Sequence, residues 1–457
     1  MRLFDWRSLA VSSLMVAALA ANAETRPQYG STLHIVMRAS PTSLDPADPA
    51  QPDSFGRRSL TALMFDTLVT TDENARPQPS LATSWQTSSG DRRWQFRIRR
   101  GVNFHDGTAL SGEIVAASLR SANPSWTVSG NADSVVIERA STEEDLLSEL
   151  ALSRNAIVRR NADNTLSGTG PFKVADWQAG KKLALAADEN SWHGRPFLDA
   201  VEIEMGKSFR DQMTALELGR ADLAEVAPEQ SHRMSQEGRR IFSSTPVELL
   251  ALLFAREVAT PEEKLLREAL ALSVERGSIR SVLLQSAGQP AGGILPNWMS
   301  GYGFVFPTDA DLPQARSARE KVRLVPSWTL GYDGSDALAR LVAERIALNA
   351  KDAGLSLQPS SAATADLRFV RIPLAAPDPW MGLANVAALA GAALGKEGGS
   401  VEDLYASEVA LLTTQRVIPL FHLPVCYAAS ASLSNWAVRP DGSWTVADAW
   451  LGPNHDR

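Results

Sequence analysis

The sequence predicts an α/β protein built in more than one lobe, and three observations carry that expectation. The chain has 457 residues, and the roughly 430 that follow its leader are too many for one compact core. Short apolar or alternating runs trade places with stretches of helical period, as in βαβ units. The composition, 44% hydrophobic and 21% charged, is that of an ordinary globular chain, so neither a disordered tract nor a solenoid is expected.

Residues 1–23 read as a secretory leader. Arg2 and Arg7 give a basic start, residues 9–21 are apolar but too short to span a bilayer, and Ala21-Asn22-Ala23 fits small-x-small cleavage. Asp5 is the one residue out of character there. No later segment has the length of a membrane span. Cys426 is the only cysteine, which excludes an internal disulfide and any cysteine metal cluster, and no cysteine follows the cleavage site to take a lipid. The expectation is a mature chain beginning at Glu24, free in a periplasm. Net charge is −7 with both signs mixed throughout, so nucleic acid and anionic membrane are not expected partners.

The elements follow in order. Residues 32–37 form a buried strand, stopped by the two prolines of Ser40-Pro41-Thr42-Ser43-Leu44-Asp45-Pro46, and residues 60–68 read as a helix. Trp94, Phe96 and Ile98 alternate as a strand before the turn Gly101-Val102-Asn103-Phe104-His105-Asp106-Gly107. A helix at 112–120, a strand at 134–138 and a helix at 143–152 precede Gly168-Thr169-Gly170-Pro171-Phe172, whose glycines are read as turn geometry. Phe172, Val174 and Trp177, then Leu183 and Leu185, flank a Gly180 turn as a hairpin. The turn-rich loop 190–199 feeds a strand at 200–205, and a helix at 209–218 stops at Gly219.

Beyond Pro246 an apolar strand is expected at 249–254, then a helix over 262–284 capped by Thr260. A strand at 322–326, a helix at 335–350 with Gly334-Ser335-Asp336 as its N-cap, and a strand at 355–357 make a βαβ unit. Strands at 366–372, 418–421 and 426–429 complete the chain.

The text of these segments resembles the peptide- and nickel-type (family five) extracellular solute-binding proteins of bacterial ABC importers. The resemblance is densest over 168–222: Gly168 to Phe172, Trp177, Asn190, Trp192, Gly194, Pro196, Leu198, Asp199, Gly219 and Asp222. Similar matches stand at Met64 to Val69, at Pro79, Leu81, Ala82 and Trp85, at 101–107, at 266–276 and at 288–296. Ala255 departs from the pattern, which carries Asn after the strand's Phe. The resemblance implies a two-lobe periplasmic-binding-protein fold of the type II-like, peptide-binding class. It also implies a third subdomain, here reduced to about 108–167. The expected division is lobe I over 24–246 and 423–457, and lobe II over 247–422.

Enzyme chemistry finds no motif. The six histidines at 34, 105, 193, 232, 422 and 455 have no metal-ligand spacing, and no P-loop, dinucleotide fingerprint or nucleophile elbow occurs. His105 beside Asp106 is explained by a tight turn, and His422 reads as a satisfied core histidine. The function expected from the resemblance is capture of a peptide-like or other small solute between two lobes and its delivery to an inner-membrane ABC permease. No cofactor and no bound metal are expected, and the protein should be a monomer. A periplasmic sensor for a chemoreceptor or regulator is the alternative, and a secreted enzyme is the further one.

The candidate ligand contacts are Trp380, Asp378, Arg371, Trp298 and Tyr302, with core packing as the competing role of each tryptophan. Arg371 competes with a salt-bridging role. The resemblance also implies a carboxylate for a peptide's α-ammonium three residues before Asp378. That position is Ala375, so free α-amino peptides are expected not to be the natural ligand.

Overall fold

The structure is a computed structural model that describes residues 26–72, 76–88, 90, 92–139, 145–374, 378–395, 398 and 400–452. The leader at 1–23, Glu24, Ala375 and Pro377 lie outside the described residues.

An eleven-stranded sheet is the largest among the described residues. From one edge its order is Phe172–Gln178, Lys182–Ala187, Ala200–Glu204, Thr32–Val36, Leu223–Val226, Val417–Ala429, Arg240–Phe254, Leu367–Pro373, Ser327–Gly331 and Ser356–Ser360, with Gln289–Pro290 added on Val417–Ala429. Two of these strands, Arg240–Phe254 and Val417–Ala429, are 15 and 13 residues long and cross from one lobe to the other. Their ladder slips at the crossing, with register shifts between Ser243 and Pro246 and again between Pro246 and Glu248. Pro246 sits opposite Pro424 there. Neither can donate a ladder hydrogen bond, so the strands stay continuous while their pairing is weakest between the lobes.

Each lobe closes its own core. In the first, Leu33, Ile35, Phe172, Leu183, Val201 and Leu223 are buried together with Trp444, Val446 and Leu451 from the chain's end. In the second, alternation along the crossing strand sends Leu250, Leu252 and Phe254 under the helices Pro261–Ser273 and Ala337–Asp352. Leu249 and Ala251 go to the other face, against Ile294, Tyr302, Ile372 and the helices Pro379–Leu389 and Val401–Thr413. Each such leucine contributes roughly 1.5–3 kcal/mol. A separate four-stranded sheet (Ala82–Thr87, Arg93–Ile98, Ser134–Glu138, Thr127–Gly130) packs with the helix Gly112–Ala122 around Phe96, Val115 and Ile137.

Several expectations need correction. The helix expected over 60–68 runs Phe55–Met64, because Ser54 caps its first turn by accepting from the Arg57 N–H. The helix expected over 262–284 is two helices, Pro261–Ser273 and Arg276–Val282. The chain turns at Val274 so that the buried Arg276 guanidinium can donate to the Pro419 carbonyl at 2.8 Å. The strand expected at 322–326 lies at Ser327–Gly331, starting only after Pro326, which has no N–H to give. The helix at 143–152 is described only as Leu146–Leu150. The two late strands are the single Val417–Ala429, with Pro424 absorbed at the register shift. The Thr260 and Asp336 caps are present, accepting from the Glu263 and Ala339 N–H groups at 3.1 Å each.

Candidate functional site

The most motif-rich turns are scaffold. The His105 N–H donates to the Gly168 carbonyl at 2.9 Å, and His105 Nε2 lies 2.9 Å from the Gly170 carbonyl. Burial holds the imidazole pKa down, so the ring is neutral with its Nε2 proton on that carbonyl. Nearby, Asp66 accepts from Thr169 Oγ1 (2.8 Å), His193 Nε2 (2.9 Å) and Trp192 Nε1 (3.0 Å). Burial would raise the Asp66 pKa, but the hydrogen bonds and charge of His193, with those of Trp192 and Thr169, pull it below its ordinary value. The glycines of this segment serve close approach rather than a turn. A Cβ on Gly168 would stand 1.9 Å from the Met64 carbonyl oxygen.

The place for a ligand is where strands end. In open α/β sheets ligands collect outside the carboxyl ends of parallel strands. In the first lobe, Thr32–Val36 pairs in parallel with Ala200–Glu204 and Leu223–Val226; in the second, Ser327–Gly331 pairs in parallel with Ser356–Ser360 and Leu367–Pro373. Just past these ends stand Arg38, Glu229, and the loop carrying Asp333 and Asp336. Arg371 lies near the end of its own strand, and Glu248 lies on the crossing strand.

These groups form a charge cluster spanning the two lobes. Arg371 Nη1 donates to Glu248 Oε2 at 2.8 Å, and its Nε donates to Asp336 Oδ2 at 3.1 Å. Burial alone would weaken the guanidinium's hold on its proton; Glu248 and Asp336 outweigh it and raise the Arg371 pKa above its ordinary value. The Arg38 backbone N–H donates to Glu225 Oε2 at 3.1 Å, while its guanidinium lies 4.5 Å from the Phe209 ring centroid. Glu229 feels the charges of Arg371 and Asp336 from the other lobe and of Arg38 from its own. Asp333 in turn feels Arg38 and Arg371. Burial raises the pKa of both Glu225 and Glu229.

The five residues singled out from sequence divide. Arg371 is in this cluster, with its charge already shared between two carboxylates. Asp378 caps the helix Pro379–Leu389, accepting from the Trp380 N–H at 3.2 Å; burial and the charge of Asp145, in the first lobe, raise its pKa. Trp380 is 9% exposed, within the core under the opposite sheet face. Tyr302 shares that core and donates its hydroxyl to Glu408 Oε2 at 2.8 Å. Trp298 is 46% exposed, with its Nε1 on the Pro246 carbonyl at the crossing, 2.7 Å away. His422 is buried with Nε2 2.9 Å from the Ile294 carbonyl, and burial lowers its pKa to about 4.

Sequence reasoning missed Arg38, Glu225, Glu229, Glu248, Asp333 and Asp336 as a group. The usable signal was position: Arg38, Glu229, Asp333 and Asp336 stand two to five places beyond a strand's end, while Glu225 and Glu248 are charges inside largely apolar strands. Among the described residues, no three His, Cys, Asp or Glu side chains converge as metal ligands, and no helix is long and apolar enough to cross a membrane.

Comparison with known proteins fits this architecture. The family profile of bacterial extracellular solute-binding proteins, family 5 (middle region), matches residues 76–371, more than half of the chain. The oligopeptide-binding protein AppA of Bacillus subtilis is 24% identical over 332 residues, 65% of this chain and 59% of AppA. The chain thus spans about three-fifths of that relative's length. The structure of AppA in complex with a nonapeptide superposes with a TM-score of 0.79 over 93% of this chain and 100% of that one, at 16% identity. NikA from Staphylococcus aureus, in complex with Ni(L-His)2, gives 0.77 over 90% and 98%, at 17% identity. At such identities the likeness shows the fold, a two-lobe α/β binding-protein fold. The chain belongs to the bacterial extracellular solute-binding proteins of family 5.

Proposed function

We propose that this protein captures a small or peptide-like solute between its lobes and presents it to an inner-membrane ABC permease, with no bond made or broken. The observation that supports this reading most is the crossing. Among the described residues two strands join the lobes within the large sheet, their pairing slips at Pro246 and Pro424, and charged groups of both lobes meet beside it. A joint with few ladder bonds allows hinge closure, and closure around a solute removes the facing charges from water. The lobes are taken as 24–246 with 423–457, and 247–422, with a small subdomain at about 108–167. The chain is taken to be exported by its leader and to work as a periplasmic monomer, without cofactor.

Small-angle scattering on the purified protein, before and after addition of the solute that co-purifies with it, tests the mechanism. The expected result is a smaller radius of gyration with solute, and a gain of about 2.7 kcal/mol in stability at a hundredfold excess over Kd. An unchanged radius with a bound solute would rule out closure.

A further inference from the structure

Among the described residues, one carboxylate where the two lobes meet carries a buried oxygen with no hydrogen-bond donor. Glu229 is the second residue of the helix Pro228–Gln236, directly after the strand Leu223–Val226. Its Oε2 is buried and has no hydrogen-bond partner among the described residues. Arg371 and the neighbouring carboxylates are otherwise committed. Arg371 is taken by Glu248 and Asp336. Asp333 accepts from the Ser335 N–H and hydroxyl at 2.9 and 2.7 Å, and Glu225 accepts from the Arg38 N–H. The Arg38 guanidinium rests on Phe209, and its charge reaches Glu229 without an ion pair among the described residues. A desolvated carboxylate oxygen with no donor is costly, and folding alone does not require it.

We propose that Glu229 is the cation receptor of the cleft, and that the solute carries a guanidinium or ammonium group whose N–H donors fill the empty place at Oε2. The inference rests on the solute-binding reading and names the chemistry that reading leaves open. A cationic donor satisfies both the missing hydrogen bond and the charge, and a guanidinium can do so with two parallel bonds. The Arg38 guanidinium, in no ion pair among the described residues, stands on the same strand-end edge and leaves room for an acidic group at the solute's other end. Burial raises the Glu229 pKa, against the pull of its own backbone N–H and of the Arg371 and Arg38 charges.

The test compares three probes of one length: 4-guanidinobutyrate, 4-aminobutyrate and the uncharged 4-ureidobutyrate, by calorimetric titration and thermal shift. The purified full chain is used, freed of co-purifying solute. At least one cationic probe is expected to bind tenfold or more tighter than 4-ureidobutyrate. In Glu229→Gln that preference should vanish, and in Glu229→Asp it should weaken but persist; either variant serves if the other does not fold. Equal binding of charged and uncharged probes, no binding of either cation, or a preference that survives in Glu229→Gln each overturns the proposal. Scattering with the co-purifying solute reports on closure separately, so loss of the cation preference leaves the two-lobe mechanism to its own test.

Discussion

Asp66 and Glu229 are carboxylates of the same lobe with opposite fates. Asp66 gathers three donors from two distant turns and is held ionised below its ordinary pKa. Glu229 gathers none at Oε2 and is pushed the other way by burial. The first joins segments whose text is the most recognisable in the chain; the second sits in a stretch with no motif. The contrast separates residues that hold the fold from residues left available to a ligand. It can be attacked from either side by substitution.

The largest effect is expected at Arg371. It belongs to the cleft by position but to the fold by its bonds. Arg371→Leu leaves Glu248 and Asp336 facing each other without a cation. A loss of about 3–5 kcal/mol in urea unfolding is expected. A change under about 1 kcal/mol would mean that Arg371 is as available to ligands as Glu229.

Next is Gly168, on the scaffold side. A Cβ there meets the Met64 carbonyl oxygen at 1.9 Å, and backbone cannot swing aside as a flexible side chain does. Gly168→Ala should cost about 3 kcal/mol. Gly277, early in the helix Arg276–Val282, has nothing within 4 Å of its Cβ position. Gly277→Ala should therefore be neutral or mildly stabilising under the same assay.

These two glycines show what was legible in the sequence. The segment 168–222 could be placed by its text, and its hairpin and loop are where alternation put them. The reason for the glycines, contact with a helix end more than a hundred residues earlier, is tertiary and leaves no local trace. Helix caps such as Thr260 and Asp336 were legible because they act within four residues. The long crossing strands were read only in part, since prolines that usually end a strand are tolerated at a slipped register. The cleft was the least legible. Arg371 was singled out as a possible ligand grip, but its partners Glu248 and Asp336 lie 123 and 35 residues away. Trp380 and Tyr302 looked like ligand surface, yet the helix Pro379–Leu389 and the turn at Gly303 pack both into the core with Leu249 and Ala251.

Asp66→Asn should cost about 2 kcal/mol at pH 7, as charge-assisted bonds become neutral ones. The pH dependence has a definite sign. A carboxylate whose folded pKa is depressed contributes stability that is present above its unfolded pKa, near 4, and lost as pH falls through the folded value. The difference between wild type and Asp66→Asn should therefore shrink steadily below about pH 4. A pH-independent difference would show that packing, not the charge, is what Asp66 supplies.

The smallest effect, and the sharpest for the comparison, is expected from Glu229→Gln without ligand. Burial raises the folded pKa of Glu229 above that of the unfolded chain. The folded state therefore holds its proton more tightly, and the charged side chain works against folding as pH rises through the folded value. Removing the charge should stabilise the empty protein by about 1 kcal/mol at pH 7, the usual direction when a residue kept for binding is replaced. Below about pH 4 both chains carry a neutral side chain and the gain should disappear. The neighbours Arg371 and Arg38 pull against this and Asp336 pushes with it, so the sign decides the matter more than the size. If Glu229→Gln instead destabilises at pH 7, and less so in acid, Glu229 belongs with Asp66 as a scaffold carboxylate, and the available charge of the cleft must be sought elsewhere.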